Sequence, residues 1–256
     1  MKEATSFRVR KSSFYDKKSI EPFKISRSKL SNFLSCKRCF YLDRVLGLKE
    51  PSMPGWSLNS TVDELLKKEF DQYRKNQKPH PIMTLHNLDF VPFQHENLNN
   101  WRNSLKGGIS YLDKKTNLII HGGVDDIWFD VKEKKLVVVD YKAQSTSYPV
   151  STHSYLSSEW HLGYKLQMDI YVHILRKMNF DVSDIAYFYV CNGEKINNKF
   201  ENKMDFKTTL VPYKVDTSWI EVKLLEMKEV LNLDSPPDIE PTCEKCAYLK
   251  GGKNYF

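Results

Sequence analysis

Four apolar residues in a row, Leu136 to Val139, run directly into Asp140, Tyr141 and Lys142. An unbroken apolar run rich in valine and preceded by the charged turn VKEKK predicts a strand buried on both faces. Segments rich in β-branched and aromatic residues predict further strands near 109–112, over 118–129, over DIAYFYVCN (184–192) and over MDFKTTLVPY (204–213). Helical spacing takes over elsewhere. Leu30, Phe33, Leu34, Tyr41 and Val45 share one face of a helix expected to start at Ser26 or Ser28 and to end at Leu46, before Gly47. Other helices are expected over 58–75, 158–178 and 218–231, while residues 1–25 and the tail PPDIEPTCEKCAYLKGG read as irregular. The order of helices, antiparallel strands, helix and strand predicts an α/β fold with a central mixed sheet flanked by helices.

Length and charge sharpen this picture. The 256 residues, 41% of them hydrophobic, are enough for one large core. We expect a basic N-terminal arm over 1–25 and a single domain over 26–256. No apolar run approaches the roughly 18 residues that a membrane span requires. The N-terminus has no apolar signal-like stretch, so a cytoplasmic location is expected, and with it free cysteines rather than disulfides. The net charge of +7 is unevenly placed: residues 1–49 carry 13 Lys or Arg against 4 Asp or Glu. That skew fits either a solvated basic arm or contact with an anionic partner, nucleic acid first.

The end of the apolar run carries the candidate chemistry. Asp140 and Lys142 lie two positions apart on a strand and so share a face, about 7 Å apart along the chain. The short VKEKK turn makes 118–129 and 135–143 a hairpin, in which one register sets Asp125 opposite Asp140 and a shift of one residue sets Asp126 there. Either way a second carboxylate joins the first. Two such groups repel unless a proton or a cation intervenes, and a hard divalent ion such as Mg²⁺ or Mn²⁺ suits them. Lys142 is then placed to hold or deprotonate a water, or to neutralise charge on a phosphate. The plain alternative is a structural Asp–Lys pair.

The pattern G-G-V-D, then V-V-D-Y-K, then QMDIY resembles the PD-(D/E)xK nucleases, and within them the RecB-type branch. Gly122, Asp125, Asp140, Lys142, Gln167 and Tyr171 match in order and spacing. The resemblance implies a restriction-endonuclease-like core and Mg²⁺- or Mn²⁺-dependent hydrolysis of phosphodiester bonds in DNA, single-stranded or at duplex ends. It implies an exonuclease of repair, recombination or defence. It also implies metal ligands at Asp125 and Asp140, water activation by Lys142, and strand positioning near Gln167 and Tyr171. It favours Asp125 over Asp126. That branch places a metal-binding histidine on an early helix, whereas here NSTVDELL puts Asp63 at the position, with Glu64 beside it. A carboxylate still suits the ion, so Asp63 is a candidate third ligand.

ISRSKLSNFLSCKRCFYL resembles the opening of the iron–sulfur members of the same branch, the CRISPR-associated and AddB-type nucleases, in which one such cysteine joins three near the C-terminus. Here the pattern is two and two, Cys36 and Cys39 with Cys243 and Cys246, clamping the two ends of the chain. On a continuous helical wheel Cys36 and Cys39 lie away from the apolar stripe, which favours ligands over core residues. The resemblance implies a 4Fe-4S cluster, and the altered pattern leaves Zn²⁺ as the alternative. Cys191 is expected to be a small buried residue. The seven histidines show no ligand pair, and the five tryptophans are taken as core. Two other classes remain open: a nucleic-acid-binding protein with a nuclease fold but no turnover, and a zinc-stapled interaction module.

Overall fold

The unbroken apolar run becomes the middle strand of a sheet. In the computed structural model, residues 5–8, 10, 13–51, 55–195 and 199–253 are described. In chain order the elements are β1 (Phe23–Ser26), α1 (Arg27–Ser35), α2 (Lys37–Arg44), α3 (Ser57–Asn76), α4 (Pro81–Leu85), β2 (Phe90–Pro92), α5 (Leu98–Arg102), β3 (Ile109–Asp113) and β4 (Leu118–Gly122). Then follow β5 (Asp126–Asp130), β6 (Lys135–Gln144), α6 (Thr152–Ser157), a 3-10 turn (Glu159–His161), α7 (Leu162–Lys177), β7 (Ile185–Gly193), β8 (Phe206–Lys214), α8 (Ile220–Leu231) and α9 (Glu244–Gly252). The strands form one sheet of order β2-β5-β6-β7-β8 and another of order β1-β4-β3. The larger sheet is mixed, because β6 runs parallel to β7 while the β2/β5, β5/β6 and β7/β8 pairs are antiparallel. The fold is therefore of the mixed α/β class expected. No helix among the described residues is long and apolar enough to cross a membrane.

The chain divides into two compact units, Met1–Pro54 with Leu112–Ile120 and Ser218–Phe256, and Gly55–Tyr111 with His121–Thr217. In the second unit, α3 lays Leu66 and Phe70 on one face of the larger sheet, against Trp128, Val137, Val139, Tyr141 and Tyr189. Phe70 is fully buried and stacks on His80 and on Trp128. These are the odd-numbered positions of β6, so its even-numbered residues, Asp140 and Lys142 among them, face the other way. In the first unit, Asp43 is buried and takes ion pairs from Arg8, Lys29 and Arg44. Burial pushes its carboxyl up, but hydrogen bonds from Arg44, Lys29 and Arg8 outweigh that and hold it at about 2. The described part of the basic N-terminal segment is thus partly occupied within its own unit.

Three differences from the sequence-based expectation have local causes. The helix expected over 26–46 breaks at Cys36, whose backbone is extended (φ −161°, ψ 107°) and whose Sγ accepts from the Cys39 N–H to cap α2. The strand expected over 118–129 splits into β4 and β5. Gly123 lies at the bend, pressed by Ser104: a Cβ added there would lie 2.8 Å from the Ser104 Cβ and 2.9 Å from its N. The tail forms α9, with Cys243 as its N-cap residue. The tryptophans also divide: Trp101 and Trp128 are core, Trp219 is half-buried, and Trp56 and Trp160 are exposed.

Candidate functional site

The register of β5 on β6 pairs Asp126 with Val139, and one step further along that register sets Asp125 across from Asp140. The two adjacent aspartates therefore point to opposite faces and do different work. Asp126 is fully buried and paired with Arg74 and with Arg102 (2.8 Å), and it accepts a 2.8 Å hydrogen bond from the Tyr141 hydroxyl. It sits in a buried ion-pair network. Asp125 accepts a 2.9 Å hydrogen bond from the Tyr141 N–H, and its other oxygen lies 3.8 Å from the Lys67 ammonium.

Asp140 is buried at the point where β6 begins to open to solvent. Its Oδ1 accepts from the Gln167 amide and its Oδ2 forms an ion pair with Lys142. Gln167, from α7, thereby fixes the carboxylate's orientation, and Tyr171 lies buried one helical turn further along. The Lys142 ammonium sits 4.4 Å from the centre of the Tyr164 ring. Burial lowers the Lys142 pKa, but Asp140 and Asp125 outweigh it and keep the group above its ordinary value. Burial, followed by the charge of Asp140, pushes Asp125 up to about 7. Asp63 is raised as well, by burial and then by Asp125. Glu64, its neighbour, is exposed and tied to Lys68 at 2.6 Å.

Asp125, Asp140, Lys142 and Gln167 are thus brought together, and Asp63 joins them through Lys67, which lies 2.7 Å from Asp63 Oδ2. Lys67 was not read from the sequence, although its i,i+4 spacing from Asp63 was visible there. Tyr164, one helical turn before Gln167 on α7, was also missed. The donor set fits a hard divalent cation on two counts. Burial first, and a neighbouring carboxylate second, drives Asp125 and Asp63 toward protonation, and Asp63 Oδ1 is a buried oxygen with no hydrogen-bond partner.

A separate cluster lies in the first unit. Cys36 and Cys39, at the start of α2, meet Cys243 and Cys246, at the start of α9, with all four Sγ atoms within 4.8 Å of one another. The Cys36–Cys246, Cys39–Cys243 and Cys39–Cys246 sulfurs are 3.6 Å apart, far beyond a bonded pair, and all are free thiols. Burial and the neighbouring thiols push Cys39 well up. At Cys243 burial also acts upward, but the Cys246 N–H and the adjacent thiols outweigh it and bring the group down. Four sulfurs this close have the arrangement that could hold a metal ion through thiolates. Cys191 is buried in the core of the other unit, as expected.

With this geometry in place, comparison with known proteins gives the class. The family model described as PD-(D/E)XK nuclease superfamily matches residues 56–250, and the chain belongs to that superfamily. A crystal structure described as "Putative exonuclease" from Eubacterium rectale is 13% identical, covers 88% of this chain and 87% of its own, and superposes with a TM-score of 0.43. A comparison with curated proteins found no match.

The two aspartates separate in stability measurements. Asp126→Ala strands Arg74 and Arg102 without their buried partner and is expected to cost about 3–5 kcal/mol in chemical denaturation. Asp125→Asn, measured with EDTA at pH 8, is expected to leave stability unchanged or to raise it, because it removes repulsion from Asp140. The pH dependence has a definite sign. Asp125 takes up its proton near 7 when folded and near the ordinary carboxylate value when unfolded. Its contribution therefore favours the folded state below about 4 and is lost as the pH rises through about 7. In EDTA, the melting temperature of wild type relative to Asp125→Asn should rise between pH 8 and pH 5.5; a constant difference would remove Asp125 from this role.

Proposed function

We propose that the chain is a divalent-metal-dependent nuclease that hydrolyses phosphodiester bonds in DNA, acting from strand ends, in repair, recombination or defence. The observation that carries this reading is the strand end itself. Asp140 is oriented by Gln167 and paired with Lys142, and Asp125 stands across the hairpin. A structural Asp–Lys pair needs no second carboxylate beside it, still less one pushed up to about 7. The excess of Lys and Arg over residues 1–49 adds support for an anionic partner.

In this reading Asp125, Asp140 and Asp63 hold Mg²⁺ or Mn²⁺, which when bound supplies Lewis-acid polarisation of the phosphate and acidifies a water. Lys142 is held in its charged form, so it suits a donor to the phosphate or to the attacking water better than a proton acceptor. Gln167 keeps the Asp140 carboxylate from rotating away, and the Tyr164 ring limits where the Lys142 ammonium can go. Tyr171 lies buried one turn beyond Gln167 on α7, and in this reading both position the substrate strand. Lys142→Ala and Asp140→Ala are each expected to lower cleavage of end-labelled DNA in Mg²⁺ or Mn²⁺ by at least about 10³-fold, the scale of removing a charge-stabilising group, while circular dichroism stays that of wild type. Full activity in either variant would sink the assignment. Binding of DNA by wild type without turnover would favour a non-catalytic nucleic-acid-binding protein.

We read the four cysteines as a structural metal clamp between the segments 36–39 and 243–246. The family resemblance points first to a 4Fe-4S cluster, but the spacing favours a single Zn²⁺. Four thiolates around one zinc stand about 3.8 Å apart, close to the 3.6 Å seen here, whereas a cubane spreads them wider because each binds a different iron. Anaerobically purified protein is expected to be colourless and to contain one zinc per chain. An absorbance band near 400 nm with matching iron and sulfide content would replace zinc by the cluster.

A further inference from the structure

Lys67 has a place in this site that an ordinary helix-surface lysine does not. Its ammonium lies 2.7 Å from Asp63 Oδ2 and 3.8 Å from Asp125 Oδ1, so it bridges carboxylates from two elements, α3 and the start of β5. The next i,i+4 pair along the same helix, Glu64 with Lys68, shows the contrast. Those side chains are 67% and 64% exposed, against 31% and 21% for Asp63 and Lys67. An exposed pair of that kind contributes little, whereas Lys67 is committed to two half-buried acids.

The bridge is also incomplete. Lys67 serves one oxygen of each carboxylate, and it leaves Asp63 Oδ1 buried without a hydrogen bond. A carboxylate oxygen in that position lacks the solvation or partner that normally offsets its burial. Lysine carries a compact charge on a flexible stem, which can withdraw and stay hydrated elsewhere. A cation that binds Asp63 and Asp125 through the oxygens Lys67 holds, Asp63 Oδ2 and Asp125 Oδ1, meets the ammonium at the same place.

We propose that Lys67 is a displaceable internal counter-ion: it holds Asp63 and Asp125 in place while the acidic site is free of metal, and it competes with the divalent cation for them. This inference rests on the nuclease reading above, since it takes those carboxylates as metal ligands. Its consequence is thermodynamic. The cation binds the state in which Lys67 has let go, so its apparent affinity is lowered by the fraction of molecules in that state, and removing the ammonium removes the penalty. Lys67 is a positioning residue here, acting on the ligands and not on the substrate.

The test is calorimetric titration of the full chain with MnCl2 in the absence of DNA, comparing wild type with Lys67→Met, Lys67→Gln, Lys67→Arg and Asp140→Asn. Lys67→Met and Lys67→Gln are expected to bind Mn²⁺ about tenfold more tightly than wild type, with Lys67→Arg within about twofold of it. Unchanged or weaker binding in the two neutral variants, with wild-type circular dichroism, overturns the proposal and makes Lys67 a plain structural partner of Asp63. Should methionine disturb α3, the glutamine variant carries the comparison. Mn²⁺ binding that survives Asp140→Asn undiminished, or no binding by wild type or either neutral variant, overturns the nuclease reading and this inference with it.

Discussion

Two carboxylates held side by side at the end of a buried strand are the constraint around which the second unit is arranged. Asp125 and Asp140 repel across the β5/β6 pair, and neither can move away. The Tyr141 N–H holds one and the Gln167 amide holds the other. The strand beneath them is valine-rich and packed on both faces, so the repulsion is not relieved by bending. It is met by charge instead, from Lys142 on one side and Lys67 on the other. A rigid support that fixes like charges together is what a cation-binding site requires and what a purely structural strand end avoids.

The neighbouring residue shows how a single position divides the two uses of an acid. Asp126 lies on the opposite face of the same strand, where Arg74 and Arg102 close round it and Tyr141 donates its hydroxyl. Arg102 also binds Asp71 at 2.9 Å, so the network runs from α3 to α5 and ties both to β5. Each carboxylate and guanidinium there is ion-paired, Asp126 with Arg74 and Arg102 and Asp71 with the same two arginines. One face of the hairpin therefore carries the buried ion pairs and the other the candidate site, and the alternation of side chains in a strand separates them without any insertion.

Much of this was legible in the sequence. The apolar run and its charged end located β6, and the short turn VKEKK limited the hairpin to two registers. Spacing could not choose between Asp125 and Asp126. Family resemblance chose Asp125, and the observed register places it across from Asp140. What stayed hidden depended on contacts between residues distant in sequence. The break at Cys36 follows from the thiol capping α2, which helical periodicity treats as one more position on a wheel. The split at Gly123 follows from the close approach of Ser104, nineteen positions earlier, which a β-rich stretch does not announce. The closeness of Cys36 and Cys39 to Cys243 and Cys246 spans most of the chain, and its signs were the matched spacing at both ends, the family resemblance and the place of Cys36 and Cys39 off the apolar stripe.

The family resemblance expects a histidine where α3 carries Asp63, and that departure connects these observations. An imidazole ligand is neutral, so a site built with one carries two carboxylates and needs little further counter-charge. On the nuclease reading proposed above, Asp63 in its place makes the donor set all oxygen and adds a negative charge, which suits Mg²⁺ or Mn²⁺ and raises the repulsion among the carboxylates. Burial first, and the neighbouring carboxylate second, presses both Asp63 and Asp125 upward. A lysine one helical turn beyond Asp63, on the same face and reaching both acids, is the local answer to it. On this view the aspartate is not a degraded ligand position. It belongs with Lys67 as a pair, in which the carboxylate supplies affinity for the ion and the ammonium moderates it.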